Sequence, residues 1–283
     1  MKRQYKTGIF LGIIGGLLFT SIKINGLLQT PQVTDVQATQ TIKRVQTVKK
    51  FNKIKFSSYR PHTVVTLGNK YQVLIRAKRG GDIKQIKTKV KNKQLIIYDK
   101  PEKHFDNSYY DVTVTVPDKN VIKKVSGHLR RGSVLVQKLN VPIINLKSDT
   151  AYVALDHVSS QNIKLKTKQK PLDIMDSNLK NSSISVGKGN IGILNSKIKT
   201  KIFIAKGGVL VTDCNFLGNS TFTLNKGVFL MTGSPKISYD LRVDSKHKIE
   251  TDTKDYHKRF FISVPSKPTV KVISKNANIQ LFK

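Results

Sequence analysis

Short segments in which apolar and polar residues alternate fill most of the chain after residue 50. They are rich in Val, Ile and Leu, and the clearest example is Val112, Val114 and Val116, which Pro117 ends. A period of two residues is typical of β-strands, and this region has no long segment with the 3.6-residue period of a helix. The pattern therefore predicts an all-β body.

The alternating segments recur at an interval of about 19 residues, with Gly, Asn and Asp in the intervening turns. One apolar column contains Val136, Leu155, Ile174 and Ile193. A repeat of this length is typical of a β-solenoid, in which each coil buries its apolar face against neighbouring coils. We predict a solenoid of about six coils.

The β body is predicted to have three parts. Residues 117–237 form the solenoid coils, and residues 51–116 form a different β-rich segment that precedes them. The regular period is lost over residues 238–283, which we expect to cap the final coil, because an open strand edge promotes aggregation.

The N-terminus has the features of a membrane anchor. Lys2, Arg3 and Lys6 precede an apolar run over residues 8–22, and no small-residue cleavage motif follows closely. This pattern predicts an uncleaved signal anchor and transmembrane helix over residues 1–28, followed by a linker over 29–50. The positive-inside rule then puts the β domain outside the membrane, as a single-pass protein.

Charge is the strongest compositional signal. The chain has 51 Lys and Arg against 17 Asp and Glu, a formal net charge of +34. Such a charge attracts polyanions, which outside a bacterial membrane are anionic cell-wall polymers, lipid headgroups or acidic glycans. Nucleic acid is not expected, because the predicted topology is extracytoplasmic and the basic segments lack interleaved aromatic residues.

Part of the charge follows the repeat. The turn glycines of three successive coils align, and a lysine precedes each of them: Lys188, Lys206 and Lys226. Glycine supplies the positive φ that a tight turn requires. The lysines are thus expected to stack at about 4.8 Å, either as solvated turn residues or as a ridge that binds a polyanion.

A second aligned column is polar and consists of His157, Asp176, Asn195 and Asp213. Asp and Asn commonly begin turns by bonding to their own backbone, so a structural role is the simplest interpretation. The alternative is catalytic, since Asp176 and Asp213 would lie roughly 9.6 Å apart, a separation that suits an inverting glycosidase.

The column that follows contains small residues: Ser177, Ser196, Cys214 and Gly233. Cys214 is the sole cysteine, so an intramolecular disulfide is excluded, and it is expected to fill a tight inward corner. The histidines lack the spacing of a zinc site, and neither a metal nor a cofactor is predicted.

A family resemblance rests on the order of three motifs. A strand in KNKQLIIYDK and a strand and turn in YYDVTVTVPDKNVIKKVSG precede coils of the pattern Gly-x-Val-x-Val. Over residues 55–283 this order resembles the bacterial putative adhesin domain family. The resemblance implies an extracytoplasmic, anchored β-solenoid, sometimes encoded near envelope-stress systems, with no established catalytic residues to transfer.

These observations favour a non-enzymatic, adhesin-like binding or scaffolding protein of the cell envelope that contacts anionic polymers through a basic face. Two alternatives stay open. One is a carbohydrate-active enzyme of the solenoid class, and the other is a regulatory partner of an envelope-stress membrane protein.

Overall fold

The computed structural model describes residues 41–58, 60–78, 81–99, 109–233 and 236–282. Within these ranges the chain forms β-strands and one short 3-10 helix, Ile83–Gln85. In chain order the strands are β1 (Ile42–Thr47), β2 (Lys53–Ser58), β3 (His62–Leu67), β4 (Gln72–Lys78), β5 (Ile86–Lys91), β6 (Gln94–Asp99), β7 (Tyr109–Val116), β8 (Lys124–Leu129), β9 (Ser133–Gln137), β10 (Ile143–Ser148), β11 (Tyr152–Asp156), β12 (Ser159–Ser160), β13 (Asn162–Gln169), β14 (Leu172–Met175), β15 (Asn178–Lys188), β16 (Ile191–Leu194), β17 (Lys197–Thr212), β18 (Asn215–Phe216), β19 (Ser220–Thr232), β20 (Ser238–Arg242), β21 (Lys248–Thr251), β22 (Asp255–His257), β23 (Arg259–Ile262) and β24 (Thr269–Leu281).

The strands stack as a parallel β-solenoid with two long faces. The first sheet has the spatial order β6, β2, β8, β10, β13, β15, β17, β19, β24, β20. The second sheet has the order β7, β3, β9, β11, β14, β16, β17, β19, β24, β21. Long strands such as β17 turn the corner and contribute to both sheets.

A third, short parallel face joins β12, the start of β15, the start of β17, and β18. Each middle coil therefore passes through the third, first and second faces in turn. Apolar side chains from all three faces point inward and form one continuous core. The all-β solenoid predicted from the sequence is confirmed.

The predicted period is also confirmed by the strand register. Val136 pairs with Leu155, Leu155 with Ile174, and Ile174 with Ile193. All four side chains are buried. Equal coil lengths bring equivalent apolar residues together, so each layer of the core covers the next.

At the N-terminal end the chain order and the stacking order differ. The β2–β3 segment lies between β6–β7 and the β8–β9 coil, in parallel with both. Beyond them β5 and β4 pair antiparallel with β6 and β7, and β1 pairs antiparallel with β4. The segment 51–116 thus supplies coils as well as a cap, and the prediction of a linker over 29–50 is wrong for residues 42–47.

The C-terminal end has the same kind of arrangement. The last strand, β24, pairs with β19 on one side and with β20 and β21 on the other. Antiparallel strands β23 and β22 then cover β20 and β21. The predicted cap over 238–283 is therefore wrong for residues 269–281, which form an inner coil, because residues 233–268 interrupt the repeat without ending it.

The predicted signal anchor over 1–28 and the first part of the predicted linker, 29–40, lie outside the described residues. In the part of the chain that the structure describes, no helix is long and apolar enough to cross a bilayer.

Candidate functional site

The lysine ridge predicted from the repeat forms at the corner between the first and second sheets. Lys188 pairs with Lys206 across β15 and β17, and Lys226 lies one strand further on, before Gly227. All three side chains are exposed. Neighbouring lysines are thus separated by one strand spacing, about 4.8 Å.

The glycines that follow these lysines fix the backbone of the corner. Gly189, Gly207 and Gly227 have φ values of 146°, 145° and 142°. A Cβ atom on Gly207 would lie 1.9 Å from the carbonyl oxygen of Gly189. Positive φ and close packing of successive backbones therefore both require glycine here.

None of the three ridge lysines forms an ion pair with another described residue. Further lysines project from the outer surface of the first sheet. Lys147 pairs with Lys166 there, and Lys164 and Lys201 share a row on either side of Ser183. We call this outer surface of the first sheet, together with the ridge, the basic face.

Two acidic residues near the basic face form ion pairs. Asp149 Oδ1 lies 2.8 Å from Lys168 Nζ, and this hydrogen bond is the main reason that the pKa of Asp149 is lowered. At the C-terminal end, Asp240 accepts hydrogen bonds from Arg242 and Arg259, which lower the pKa of its carboxyl group. Lys147, Lys164, Lys166 and Lys201 form no ion pair with another described residue.

The predicted polar column is present as a row of left-handed turn residues. His157, Asp176, Asn195 and Asp213 have φ values of 52°, 47°, 49° and 51°. The backbone N–H of each donates to a carbonyl of the next coil. Gly233, with φ 66°, continues this row rather than the small-residue row predicted for it, because Met231 pairs with Val211.

One part of this column brings possible cation ligands together. His157 Nδ1 lies 2.6 Å from Asp156 Oδ1, and one ligand atom each from Asp156, His157 and Asp176 lie within 4.8 Å of one another. Three donors at a turn are few for calcium, which takes six to eight oxygen ligands. The coil of Asn195 separates Asp176 from Asp213, as the predicted spacing required.

Cys214 occupies a buried corner, as predicted. Its Sγ contacts the carbonyl oxygens of Ile193 and Thr212, and burial raises the pKa of the thiol to about 11. In the preceding coils, Ser177 and Ser196 hydroxyls donate to the equivalent carbonyls of Met175 and Leu194. Cys214 therefore packs as a small buried residue in the same row as these serines.

The sequence did not reveal a buried acid on the outer side of the second sheet. Asp173 is only 4% exposed, and its carboxylate accepts a hydrogen bond from the Tyr152 hydroxyl. Burial raises the pKa of Asp173 and also that of Tyr152. Gly192 makes room for the carboxylate, since a Cβ there would lie 2.7 Å from Asp173 Oδ1.

The sequence of the described solenoid matches a known domain family. The family model described as Toastrack DUF4097 matches residues 42–281. The chain belongs to the Toastrack DUF4097 family. This match begins at β1 and ends in β24, so the Toastrack domain includes the strand that the sequence analysis assigned to the linker, and the family resemblance predicted from the sequence is confirmed.

Several solved structures are similar to this Toastrack domain. A putative adhesin from Parabacteroides distasonis is 14% identical, with 86% of this chain and 98% of that chain covered and a TM-score of 0.45. A putative lipid binding protein from the same species is also 14% identical, with 86% and 97% covered and a TM-score of 0.45. A putative adhesin from Bacteroides fragilis is 15% identical, with 86% and 96% covered and a TM-score of 0.40. No curated protein matches the chain.

Proposed function

We propose that this Toastrack protein is an adhesin-like binding or scaffolding protein of the bacterial cell envelope. In this proposal residues 1–28 hold it in the cell membrane, and the solenoid lies outside. Its basic face contacts an anionic polymer: cell-wall polymer, lipid headgroups or acidic glycan. The proposal assigns the protein no catalytic step, cofactor or metal.

The observation that carries the proposal is the row of unpaired lysines at Lys188, Lys206 and Lys226. Like charges stacked at one strand spacing repel one another, and this repulsion is relieved by salt or by a bound polyanion. A polymer with regularly spaced anionic groups neutralises several stacked lysines at once. The repeat thus supplies a surface whose period suits a linear polyanion better than a small anion.

The direct test is binding of the full-length protein, in detergent micelles, to immobilised teichoic acid and to an acidic polysaccharide at increasing salt. We expect affinity to fall steeply between low and physiological ionic strength, since the contacts are electrostatic. Affinity that does not change with salt would contradict the proposal.

A matched pair of triple variants separates the ridge from net charge. One variant replaces Lys188, Lys206 and Lys226 with Gln, and the control replaces three exposed lysines of the C-terminal cap: Lys246, Lys254 and Lys258. Both lose the same charge. We expect the ridge variant to bind more weakly than the control, and equal losses would mean that only total charge matters.

Two further measurements address the anchor and the absence of catalysis. Protease treatment of intact cells is expected to remove the solenoid, whereas resistance in intact cells and sensitivity after lysis would refute the extracytoplasmic topology. Acidic polysaccharides incubated with the protein are expected to release no reducing ends. Release that disappears on Asp176→Asn or Asp213→Asn would establish an enzyme instead.

A further inference from the structure

A groove of about 440 Å³ runs along the outer surface at the corner where the third face meets the first sheet. It crosses the starts of β10 and β13, the bend within β15, and the start of the first-sheet part of β17. Three strand spacings give it a length of roughly 14 Å along the solenoid axis. It lies at the opposite edge of the first sheet from the lysine ridge.

The groove coincides with an irregularity in the repeat. The register between β15 and β17 shifts between Leu179 and Ser182. In the same row, Ile144 pairs with Ile163, but the next two coils carry Ser182 and Thr200. Smaller side chains therefore replace isoleucine at the corner where the register changes.

The charge in the groove has a single sign. Lys164, Lys199 and Lys201 line it, no acidic residue does, and none of these lysines forms an ion pair with another described residue. Lys164 and Lys201 are two strand spacings apart, roughly 9.6 Å, and Lys199 is about 6.6 Å from Lys201 along β17. The three ammonium groups can therefore contact separate anionic groups of one extended ligand.

Neutral polar groups surround these cations. The amides of Asn145, Asn162, Asn181 and Asn219 also line the groove. An amide both donates and accepts hydrogen bonds, so it suits hydroxyl groups, whereas lysine only donates. Ile143, at one end of the groove, is the large apolar side chain of the lining that is exposed, at 42%. One exposed isoleucine gives the groove too little apolar surface to insert into a bilayer.

Two buried hydroxyl groups beneath the groove have no hydrogen-bond partner among the described residues. Ser182 Oγ and Thr200 Oγ1 are buried without a hydrogen bond, and the residues are 7% and 3% exposed. They lie in the inward row of Ile144 and Ile163, whereas Lys199 and Lys201 on either side of Thr200 are exposed. The two hydroxyl groups therefore face the core, and the groove offers its lysines and amides to a ligand.

We infer that this groove binds a segment of a hydroxyl-rich anionic polymer, lying along the solenoid axis. The inference rests on the proposed function and gives it a defined site. Its recognition chemistry is a chain of hydroxyl groups interrupted by carboxylate or phosphate groups. Both an acidic glycan and a polyol-phosphate wall polymer have this chemistry. Their relative affinities for the groove distinguish the two.

The experiment measures binding of full-length protein, by calorimetry at low salt, to three soluble probes. These are a uronic-acid oligosaccharide, a glycerol-phosphate oligomer and a neutral oligosaccharide of the same length. The groove variant is Lys164→Gln with Lys201→Gln, and the matched control is Lys246→Gln with Lys258→Gln in the C-terminal cap. The two double variants remove the same charge, and all four side chains are exposed.

We expect at least one anionic probe to bind, the neutral probe not to bind, and the groove variant to lose affinity by about tenfold or more. The control is expected to lose about twofold, through the general field alone. The anionic probe that binds more tightly identifies the source of the ligand.

Thr200→Val provides a control for folding, because it removes an inward hydroxyl while keeping the shape of the side chain. We expect unchanged probe binding together with unchanged or higher thermal stability. Equal losses in the two double variants would overturn the groove, while binding of an anionic probe would still support the proposed function. If no anionic probe binds at low salt, the groove and the proposed function both fail.

Discussion

Gly207→Ala is expected to disrupt the solenoid although it adds only one methyl group. At φ 145° an L-residue is strained by about 1–3 kcal/mol. The new Cβ would also lie 1.9 Å from the carbonyl oxygen of Gly189, where real Cβ contacts are longer than 3.0 Å. Two adjacent coils must therefore separate by about 1 Å at this corner, which weakens the hydrogen bond from Gly189 N–H to Lys206 O, worth roughly 1–2 kcal/mol.

The expected total cost is about 2–5 kcal/mol of unfolding free energy, or a fall in Tm of roughly 10 °C. The neighbouring residue provides the control. A Cβ on Gly208 would meet its nearest atom, Val228 Cγ1, at 3.4 Å, an ordinary contact, so Gly208→Ala should cost less than about 1 kcal/mol.

Urea and thermal unfolding of both variants, followed by circular dichroism in the β-sheet band, measure this difference. The comparison keeps composition, hydrophobicity and position in the coil nearly constant. If Gly207→Ala unfolds at the same urea concentration as Gly208→Ala, position 207 does not require glycine. The close approach of successive backbones would then not be the constraint, and the reasoning would be refuted.

Three further predictions test individual sites. Lys170 has φ 109° in the row of turn glycines, so Lys170→Gly should raise the unfolding free energy by about 1 kcal/mol in urea titrations, while Lys170→Ala gives no gain. The raised pKa of Asp173 means that its contribution to stability is greatest below the unfolded value near 3.8 and falls as pH rises towards the folded pKa. Asp173→Asn should therefore gain stability relative to wild type between pH 4 and 7, and a constant difference across that range would count against burial as the cause. The thiol of Cys214 should react with an aromatic disulfide reagent only after unfolding, and rapid reaction of the folded protein would contradict its buried position.

The central coils were predictable because the repeat is nearly uniform there. When coil lengths differ by at most one or two residues, aligned positions in the sequence become neighbours in space, as for Ile174 and Ile193. The same regularity aligned the lysines of the ridge and the residues of the polar column, whereas the left-handed backbone of that column is visible only in the structure.

The ends of the solenoid were not predictable in this way. The β2–β3 segment stacks against strands that come much later in the chain, and β24 pairs with β19 across the interruption at residues 233–268. Stacking order that differs from chain order leaves no period to detect. β1 was missed because its sequence, IKRVQT, has the polar composition of a linker.

The groove depends on features that sequence alignment shows only in part. The change from Ile144 and Ile163 to Ser182 and Thr200 is visible once the rows are aligned. The register shift near Ser182 and the missing partners of its hydroxyl group depend on three-dimensional packing. Asp173 was missed for the same reason, since its burial depends on Tyr152 and Gly192 in adjacent coils.

The position of β24 has a consequence for how the protein reaches its final state. Residues 269–281 are synthesised after β19, β20 and β21, yet they fill the gap between β19 and the β20–β21 level. Until they arrive, two unpaired strand edges face each other, and such edges recruit other chains. The fold is therefore closed by β24, a strand made after both of its neighbours, and truncation after Pro268 would expose both edges permanently.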